Sequence, residues 1–215
     1  MINLWGSSAS ASWQVALDQY PDVVSTQGVR QLEPLDTWYR TELPSLIAAR
    51  TQPYVTHDEM VRITEWKMHR GAWRAPNLVR VKSNEPPLVI DVTTRGLALV
   101  PHPTKPVKEI ATLDGVGPAT ASAVVAAFAP TLYPFFDELV AGQVPHLGPV
   151  AWTLSYYARY AEALRGRAVL LGGGWTPVML ERALWAFVGG KASARSAAVG
   201  NSSSQNGTAA ELHKR

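Results

Sequence analysis

Apolar residues recur at intervals of three and four along most of the chain, which predicts helices separated by breaks at Gly and Pro. Two such segments cover about residues 10–20 and 42–50, and the residues between them read as a connection interrupted by Gly and Pro. The stretch THDEMVRITEWKMHRG carries the clearest signals. In it, Thr56 with Glu59 predicts a capping box, and Gly71 predicts a C-terminal stop.

The helical pattern continues in the second half of the chain. Residues 87–100 contain repeated Val and Thr, so a strand is an alternative there, but the spacing of Val89, Val92 and Leu97 favours a helix. Further helices are predicted at about residues 77–83, 107–113, 118–128, 146–164 and 176–188. The pattern therefore predicts an all-α domain of eight to ten helices over residues 1–190. A tail rich in Ser, Ala, Gly and Asn follows over residues 191–215 and is expected to be disordered.

The charge of the chain is unevenly placed. The formal net charge is +3, but residues 191–215 hold four Lys or Arg and one acid, so residues 1–190 carry 16 basic and 16 acidic groups. The basic pI of about 9.3 therefore does not argue for nucleic-acid binding by the domain. The local run from Arg62 to Lys82 is more informative, since it contains six basic residues and a single acidic residue, Glu65. This run predicts either a phosphate-binding stripe or a solvated helix face.

Several functional classes are disfavoured by composition. The chain contains no cysteine, which excludes disulfides, thiolate catalysis and cysteine-ligated zinc or iron–sulfur sites. No apolar run approaches twenty residues, the N-terminal residues lack a secretory pattern, and the five histidines show no metal-ligand spacing. We therefore expect a nuclear or cytosolic monomer, not secreted and not bound to a membrane, without a metal or other cofactor in its site.

The most informative stretch covers residues 110–137, IATLDGVGPATASAVVAAFAPTLYPFFD, which places a Gly-Val-Gly turn between two helical segments and ends on a carboxylate. Gly115 and Gly117 lack a Cβ, so the turn can adopt positive φ and approach another backbone closely. Their amides open a helix near Pro118, where the helix N-terminus favours a phosphate oxygen. The turn is therefore a candidate phosphate site, and Asp137 is a candidate acid beside it.

This order of residues resembles the helix-hairpin-helix DNA glycosylase superfamily, whose hairpin reads Leu-Pro-Gly-Val-Gly and precedes an aspartate after its second helix. The matching residues are Leu113, Gly115, Val116, Gly117, Thr120, Ala121 and Asp137. The stretches WKMHRG and WTPVMLERALWAF are similar to a eukaryotic, fungal-like branch of the superfamily with no assigned substrate. The resemblance implies a helical bundle with the hairpin, residues 107–128, at the mouth of a cleft. It also implies contacts with duplex DNA, and a monovalent cation at the hairpin, through Gly115, Val116, Gly117, Ala119 and Thr120.

Asp137 is the predicted catalytic residue. Hydrolysis of a base from its sugar passes through an oxocarbenium-like centre. A carboxylate beside this centre can stabilise its positive charge or activate the water that attacks it. Tyr133, Phe135 and Phe136 precede it and are expected to exclude water, and Tyr133 and Phe136 are candidates for the wall of a base pocket. In the alternative interpretation Asp137 caps the helix that follows it, and the two roles are compatible.

Ala119 departs from the family pattern in a way that limits the chemistry. Bifunctional members carry a Schiff-base lysine at this position, so a lyase step through that lysine is not available. Lys67, next to Trp66, is the only other lysine considered for a pocket, and a surface role is favoured for it. The predicted enzyme is therefore a monofunctional N-glycosylase.

Two acidic residues also depart from the pattern. Asp114 replaces the usual hairpin proline and is expected to weaken phosphate binding unless it points away from the phosphate or helps to hold a bridging cation. Lys105 and Lys108 lie upstream and are expected to offset part of this repulsion. Glu138 replaces an uncharged neighbour of Asp137 and is expected to face solvent.

The basic run also supplies candidates for contact with nucleic acid. Arg70 and Arg74 are predicted to bind DNA. Trp66 and Trp73 flank the centre of the basic run and are candidates for stacking or for cation–π contact with these arginines in a base pocket. Because Trp at helical spacing is more often a core residue, packing is the alternative for both. Trp152, on the C-terminal side, is interpreted as a packing residue.

Three functional hypotheses follow from these features. The first is a DNA glycosylase-like enzyme of base-excision repair, which binds duplex DNA through the hairpin and applies Asp137 to an extruded base. The second is a non-catalytic module that retains the glycosylase fold to bind DNA or protein. The third is a helical scaffold without a nucleic-acid partner.

Overall fold

The computed structural model describes residues 3–192, and these residues form helices and loops without a β-strand. A 3₁₀ turn at Leu4–Gly6 and a π-helical turn at Trp38–Glu42 accompany the α-helices. The α-helices of the described part are α1 Ser10–Asp18, α2 Tyr20–Ser25, α3 Leu32–Thr37, α4 Leu43–Ala48, α5 His57–Arg70, α6 Ala75–Lys82, α7 Pro86–Ala98, α8 Lys105–Ile110, α9 Pro118–Phe128, α10 Glu138–Ala141, α11 Leu154–Leu171 and α12 Pro177–Phe187. The predicted all-α class is confirmed. Except for residues 191 and 192, the predicted tail lies outside the described residues.

The predicted helix signals hold in the centre of the chain. The Glu59 amide donates a hydrogen bond to the Thr56 hydroxyl at 3.2 Å, and the Glu59 carboxylate accepts one from the Thr56 amide at 2.7 Å. Gly71 follows α5 as its C-cap. The segment for which a strand was the alternative is the helix α7, and the predicted bounds of α9 agree with the observed ones.

The N-terminal third contains more helix than the pattern predicts. The first predicted segment covers about residues 10–20 and is followed by Pro21, which occupies the first turn of α2. A proline is tolerated there because amides of the first helical turn have no partner within the helix. The expected connection over residues 21–41 holds α2, α3 and most of the π-helical turn. The described residues therefore hold twelve α-helices rather than eight to ten. Farther along the chain, α11 begins later than predicted because Thr153 caps it.

The core is built around α9 and α12. Residues 119–127 of α9 are all buried, and their small Ala, Ser, Thr and Val side chains allow α4, α5 and α8 to pack closely against this helix. Helix α12 packs against α1, α2, α10 and α11. Trp13, Trp66 and Trp185 fill the interior. None of the helices between residues 3 and 192 is both long and apolar enough to cross a membrane.

Candidate functional site

A cavity of about 250 Å³ lies where the end of α5, the start of α6, the turn before α9 and the loop before α10 meet. Its lining combines cations, backbone of the turn, one buried carboxylate and aromatic side chains, and it includes Lys67, Arg74, Gly117, Phe136, Asp137 and Trp152. Segments far apart in sequence are therefore brought together at one site. The glycine turn and the predicted acid share it.

The turn before α9 is held in place by α6. Gly115 has φ +74°, and a Cβ at this position would lie 2.5 Å from the carbonyl oxygen of Asn77 and 2.8 Å from the amide nitrogen of Val81. The side chain of Asn84 donates to the carbonyl oxygen of Asp114 at 2.9 Å and accepts from the Asp114 amide at 3.0 Å. The turn therefore requires glycine at position 115 and has little freedom to move.

The N-terminus of α9 is uncapped. Gly117 is the N-cap residue with an extended backbone, φ −93°, and supplies no side chain. The amides of Gly117, Ala119 and Thr120 donate to no acceptor among residues 3–192. Pro118 has no amide, so these three N–H groups are the donors that the helix start presents to the cavity wall. They carry the partial positive charge of the helix N-terminus.

Asp137 is both a helix cap and part of the cavity wall. Its side chain is buried, and Oδ1 accepts hydrogen bonds from the amides of Leu139 at 2.8 Å and Val140 at 3.3 Å. The second oxygen, Oδ2, lies 3.3 Å from Nε of Arg70. The carboxylate is thus fixed in orientation by α10 on one side and by a cation on the other.

Arg70 was expected to contact DNA, and this prediction is wrong because the side chain is only 1% exposed. Its guanidinium donates to Glu181 and, at 3.2 Å, to the hydroxyl of Tyr20, and it also faces Asp137. Burial alone would lower the pKa of Arg70, but Glu181, Tyr20 and Asp137 together raise it above its usual range. Arg70 is therefore a permanently charged element of the interior that holds Asp137.

The buried charges continue beyond Arg70. Glu181 also accepts a hydrogen bond from Arg40 at 3.2 Å, and Nε of Arg40 lies 3.7 Å from Asp36. Asp36 in turn accepts hydrogen bonds from the hydroxyl of Tyr20 at 2.7 Å and from the indole of Trp66 at 2.8 Å. Acids and arginines thus alternate from the cavity wall into the core, an arrangement in which each charge has a partner.

Two of the predicted base-pocket residues lie in the core instead. Trp66 is fully buried, stacked on Tyr39 with ring centroids 3.7 Å apart, and it does not line the cavity. Tyr133 is buried as well, and its hydroxyl donates to the carbonyl oxygen of His102 at 2.9 Å. Neither ring is available to stack on a base, because tertiary packing uses both.

The aromatic wall of the cavity is formed by Phe136 and Trp152. Their ring centroids are 4.9 Å apart, so Trp152 packs on Phe136 as interpreted, but it is 43% exposed and also lines the cavity. Trp73 is also exposed but packs beside the ring of His69, outside the cavity lining. Of the predicted base-pocket residues, only Phe136 borders the cavity, and its side chain is fully buried.

Lys67 lines the cavity, contrary to the surface role that was favoured for it. It is half-buried on α5, one helical turn after Ile63 and one before the C-cap. Burial and the nearby charge of Arg74 lower the pKa of Lys67 to about 8, although Asp137 acts in the opposite direction. Its amine therefore loses a proton more readily than that of an ordinary lysine.

The remaining predicted DNA contacts divide into two groups. Arg74 is exposed and lines the cavity, whereas Lys105 and Lys108 are exposed on α8 and lie outside the lining. Asp114 faces solvent beside the turn, and Glu138 is exposed at the cavity edge.

The buried Arg70–Glu181 pair was missed, although the sequence contains a signal for it. Glu181 lies in the middle of the apolar helix VMLERALWAF, and Arg70 follows Ile63 by two turns on the core face of α5. Two opposite charges on two core-facing stripes are expected to pair, because an isolated buried charge is costly.

Comparisons of the chain with family models, with curated proteins and with solved structures found no match.

Proposed function

We propose that this chain is a DNA glycosylase-like protein, which binds duplex DNA through α8, the glycine turn and α9 as a helix-hairpin-helix. We further propose that it acts in the nucleus as a monofunctional base-excision hydrolase. The observation that carries the proposal is that one cavity is lined both by the carboxylate of Asp137 and by the uncapped start of α9. A phosphate held by the helix start therefore brings the adjoining nucleotide to the acid.

DNA binding would use fixed backbone donors. The amides of Gly117, Ala119 and Thr120 have no acceptor among residues 3–192, and the turn that orients them is packed on α6. Arg74 and Lys191 add positive charge at the same cavity. Such an arrangement favours a phosphate oxygen without reading base sequence.

Base excision would use the acid and the aromatic wall. An extruded base needs a face on which to stack, and the partly exposed ring of Trp152, which packs on the buried Phe136, offers one. Asp137 is held by amides and by Arg70, so its charge is positioned before the substrate arrives. Its role would be to stabilise the positive charge that develops on the sugar as the base departs.

The alternative is a non-catalytic module, and one observation favours it. Oδ1 of Asp137 already accepts two amide hydrogen bonds, and Oδ2 faces Arg70. These partners account for much of the capacity of the carboxylate to accept hydrogen bonds. On this alternative Asp137 serves the fold, and the cavity binds DNA without cleaving a bond.

Base release in single-turnover reactions separates the enzyme from the module. The parent, Asp137→Asn and Glu138→Gln would be incubated with a panel of duplexes that carry damaged bases. We expect release from at least one duplex, a loss of at least 100-fold in Asp137→Asn, and little change in Glu138→Gln, which removes a neighbouring exposed carboxylate. Tight binding of every duplex without release by the parent would exclude the enzyme and favour the module.

Binding itself is tested at Gly117. A Cβ at this position meets nothing within 4 Å, so substitutions there are compatible with folding. Gly117→Glu places an acid at the helix start and is expected to weaken duplex binding by at least 10-fold, whereas Gly117→Ala is expected to weaken it far less. Equal, weak binding by the parent and both variants would exclude DNA as the partner.

A further inference from the structure

Gln27, just after α2, holds the segment that follows α12. Its side-chain nitrogen donates to the carbonyl oxygens of Val23 at 2.8 Å and Gly189 at 3.1 Å, and its side-chain oxygen accepts from the amide of Ala192 at 2.8 Å. A carboxamide carries two donors and an acceptor at one end, so a single side chain makes all three contacts. Gln27 thereby joins residues 189–192 to α2.

The backbone of this segment depends on the contact with Gln27. Gly189 and Gly190 both have positive φ, +72° and +63°. A Cβ at position 190 would lie 2.7 Å from Nε2 of Gln27, so the glycine packs directly on the carboxamide. Two successive glycines have many accessible conformations when nothing holds them. The place of the residue that follows, Lys191, is therefore set by Gln27.

Lys191 lines the same cavity as Asp137 and the start of α9. Within residues 3–192, no ion pair or hydrogen bond engages its ammonium. Arg70, another cation of the lining, is compensated by Glu181 and Asp137. A cation whose backbone is already ordered loses less conformational freedom when an anion binds.

We infer that Lys191 binds a phosphate of the DNA strand that enters the cavity, and that Gln27 is the positioning residue that places Lys191 there. The inference rests on the proposed DNA function, which brings a strand to this cavity. It adds a side-chain cation from beyond α12 to the backbone donors at the start of α9. Such a contact strengthens binding without reading base sequence, and it makes binding more sensitive to salt.

Duplex binding at several salt concentrations tests the lysine. Fluorescence anisotropy compares the parent with Lys191→Gln and Lys191→Arg, and Lys82→Gln is the control, since it changes an exposed lysine outside the cavity. We expect Lys191→Gln to weaken binding at low salt by about 5-fold to 20-fold and to reduce the salt slope by about 1, as for one lost phosphate contact. Lys191→Arg keeps the charge and should bind within about 3-fold of the parent. Tight binding by the parent with an unchanged affinity and slope in Lys191→Gln overturns the inference and leaves the proposed function standing.

Variants in two backgrounds test Gln27. Gln27→Met removes the carboxamide, and Gly190→Ala displaces it because the new Cβ would meet it. Each should weaken duplex binding by at least about 3-fold in the parent and cause no further loss in Lys191→Gln, because both act through the lysine. Gln14→Met, which changes an exposed glutamine on α1, is the matched control. An equal loss in both backgrounds overturns the positioning role.

A probe without a duplex separates this inference from the proposed function. Thymidine 5′-monophosphate carries a single phosphate, and NMR of the backbone amides of Gly117 and Lys191 follows its binding. Shifts at Lys191 that disappear in Gln27→Met, without any duplex binding, support the phosphate site and overturn the DNA function. Shifts at Gly117 alone, with duplex binding intact, overturn the inference. Absence of binding by both probes overturns both proposals.

Discussion

The Nε atom of Arg70 lies 3.3 Å from Oδ2 of Asp137, so the carboxylate at the candidate site is faced by a cation from the protein interior. Arg70 is 1% exposed and is itself compensated by Glu181. The charge of Asp137 at the cavity wall is thus linked through Arg70 to the buried charge of Glu181 in the core. A change at Arg70 therefore affects both stability and the orientation of Asp137.

Arg70→Met is predicted to reduce the free energy of unfolding by about 3–5 kcal/mol, because it leaves Glu181 buried without its main partner. Urea unfolding measures the loss. The matched control is Arg62→Met on the same helix, which removes an exposed guanidinium packed over Trp38 and should cost about 1 kcal/mol or less. Equal losses in the two variants would mean that the buried pair contributes nothing.

Gly115→Ala is predicted to destabilise the protein by at least ~2 kcal/mol, because its Cβ would meet the backbone of α6 and its φ is +74°. Gly117→Ala is the natural comparison, since that Cβ meets nothing and φ is −93°. It should change stability by less than about 1 kcal/mol. Thermal unfolding of both variants decides the point. A tolerated alanine at position 115 would show that the turn is not packed on α6 as described.

Sequence reasoning located the turn, the acid and most helices because those features depend on local signals. The capping box at Thr56 and the bounds of α9 are set by residues within a few positions. The burial of Arg70 and Trp66 depends on partners that are distant in sequence, and local spacing does not identify these partners. Arg70 pairs with Glu181, and Trp66 stacks on Tyr39. For this reason the predicted contacts with DNA and with a base were the least accurate part of the prediction.

Trp152→Ala is predicted to weaken binding of a duplex with an extrudable damaged base by about 5-fold to 100-fold, in line with ~1–3 kcal/mol for one lost stacking contact. Because Trp152 is 43% exposed, the loss of stability should be small. Trp73→Ala removes an indole of similar exposure, 51%, outside the cavity and serves as the control. Fluorescence anisotropy with intact and damaged duplexes measures both. If the two variants bind alike, Trp152 does not contact the base.

Lys67→Met is predicted to stabilise the protein near neutral pH, and the gain should depend on pH in a defined way. The pKa of Lys67 is about 8 in the folded protein, against 10.5 for an ordinary lysine. Below pH 8 both the folded and the unfolded chain bind the proton, so the full cost of holding a charge in the cavity is present. Between pH 8 and 10.5 the unfolded chain binds more protons, so the stability of the parent rises with pH.

Methionine at position 67 carries no charge and avoids this cost. At pH 7 the free energy of unfolding of the variant should therefore be higher than that of the parent, by at most on the order of 3 kcal/mol. The excess should shrink as pH rises from 8 and vanish near 10.5. Urea unfolding of both proteins between pH 6.5 and 10 measures the difference in free energy of unfolding. The titration of other groups affects both proteins alike and cancels in this difference. Lys82→Met, which changes an exposed lysine, should show no such pH dependence. A constant difference at Lys67 across this range would mean that its amine is solvated like that of Lys82.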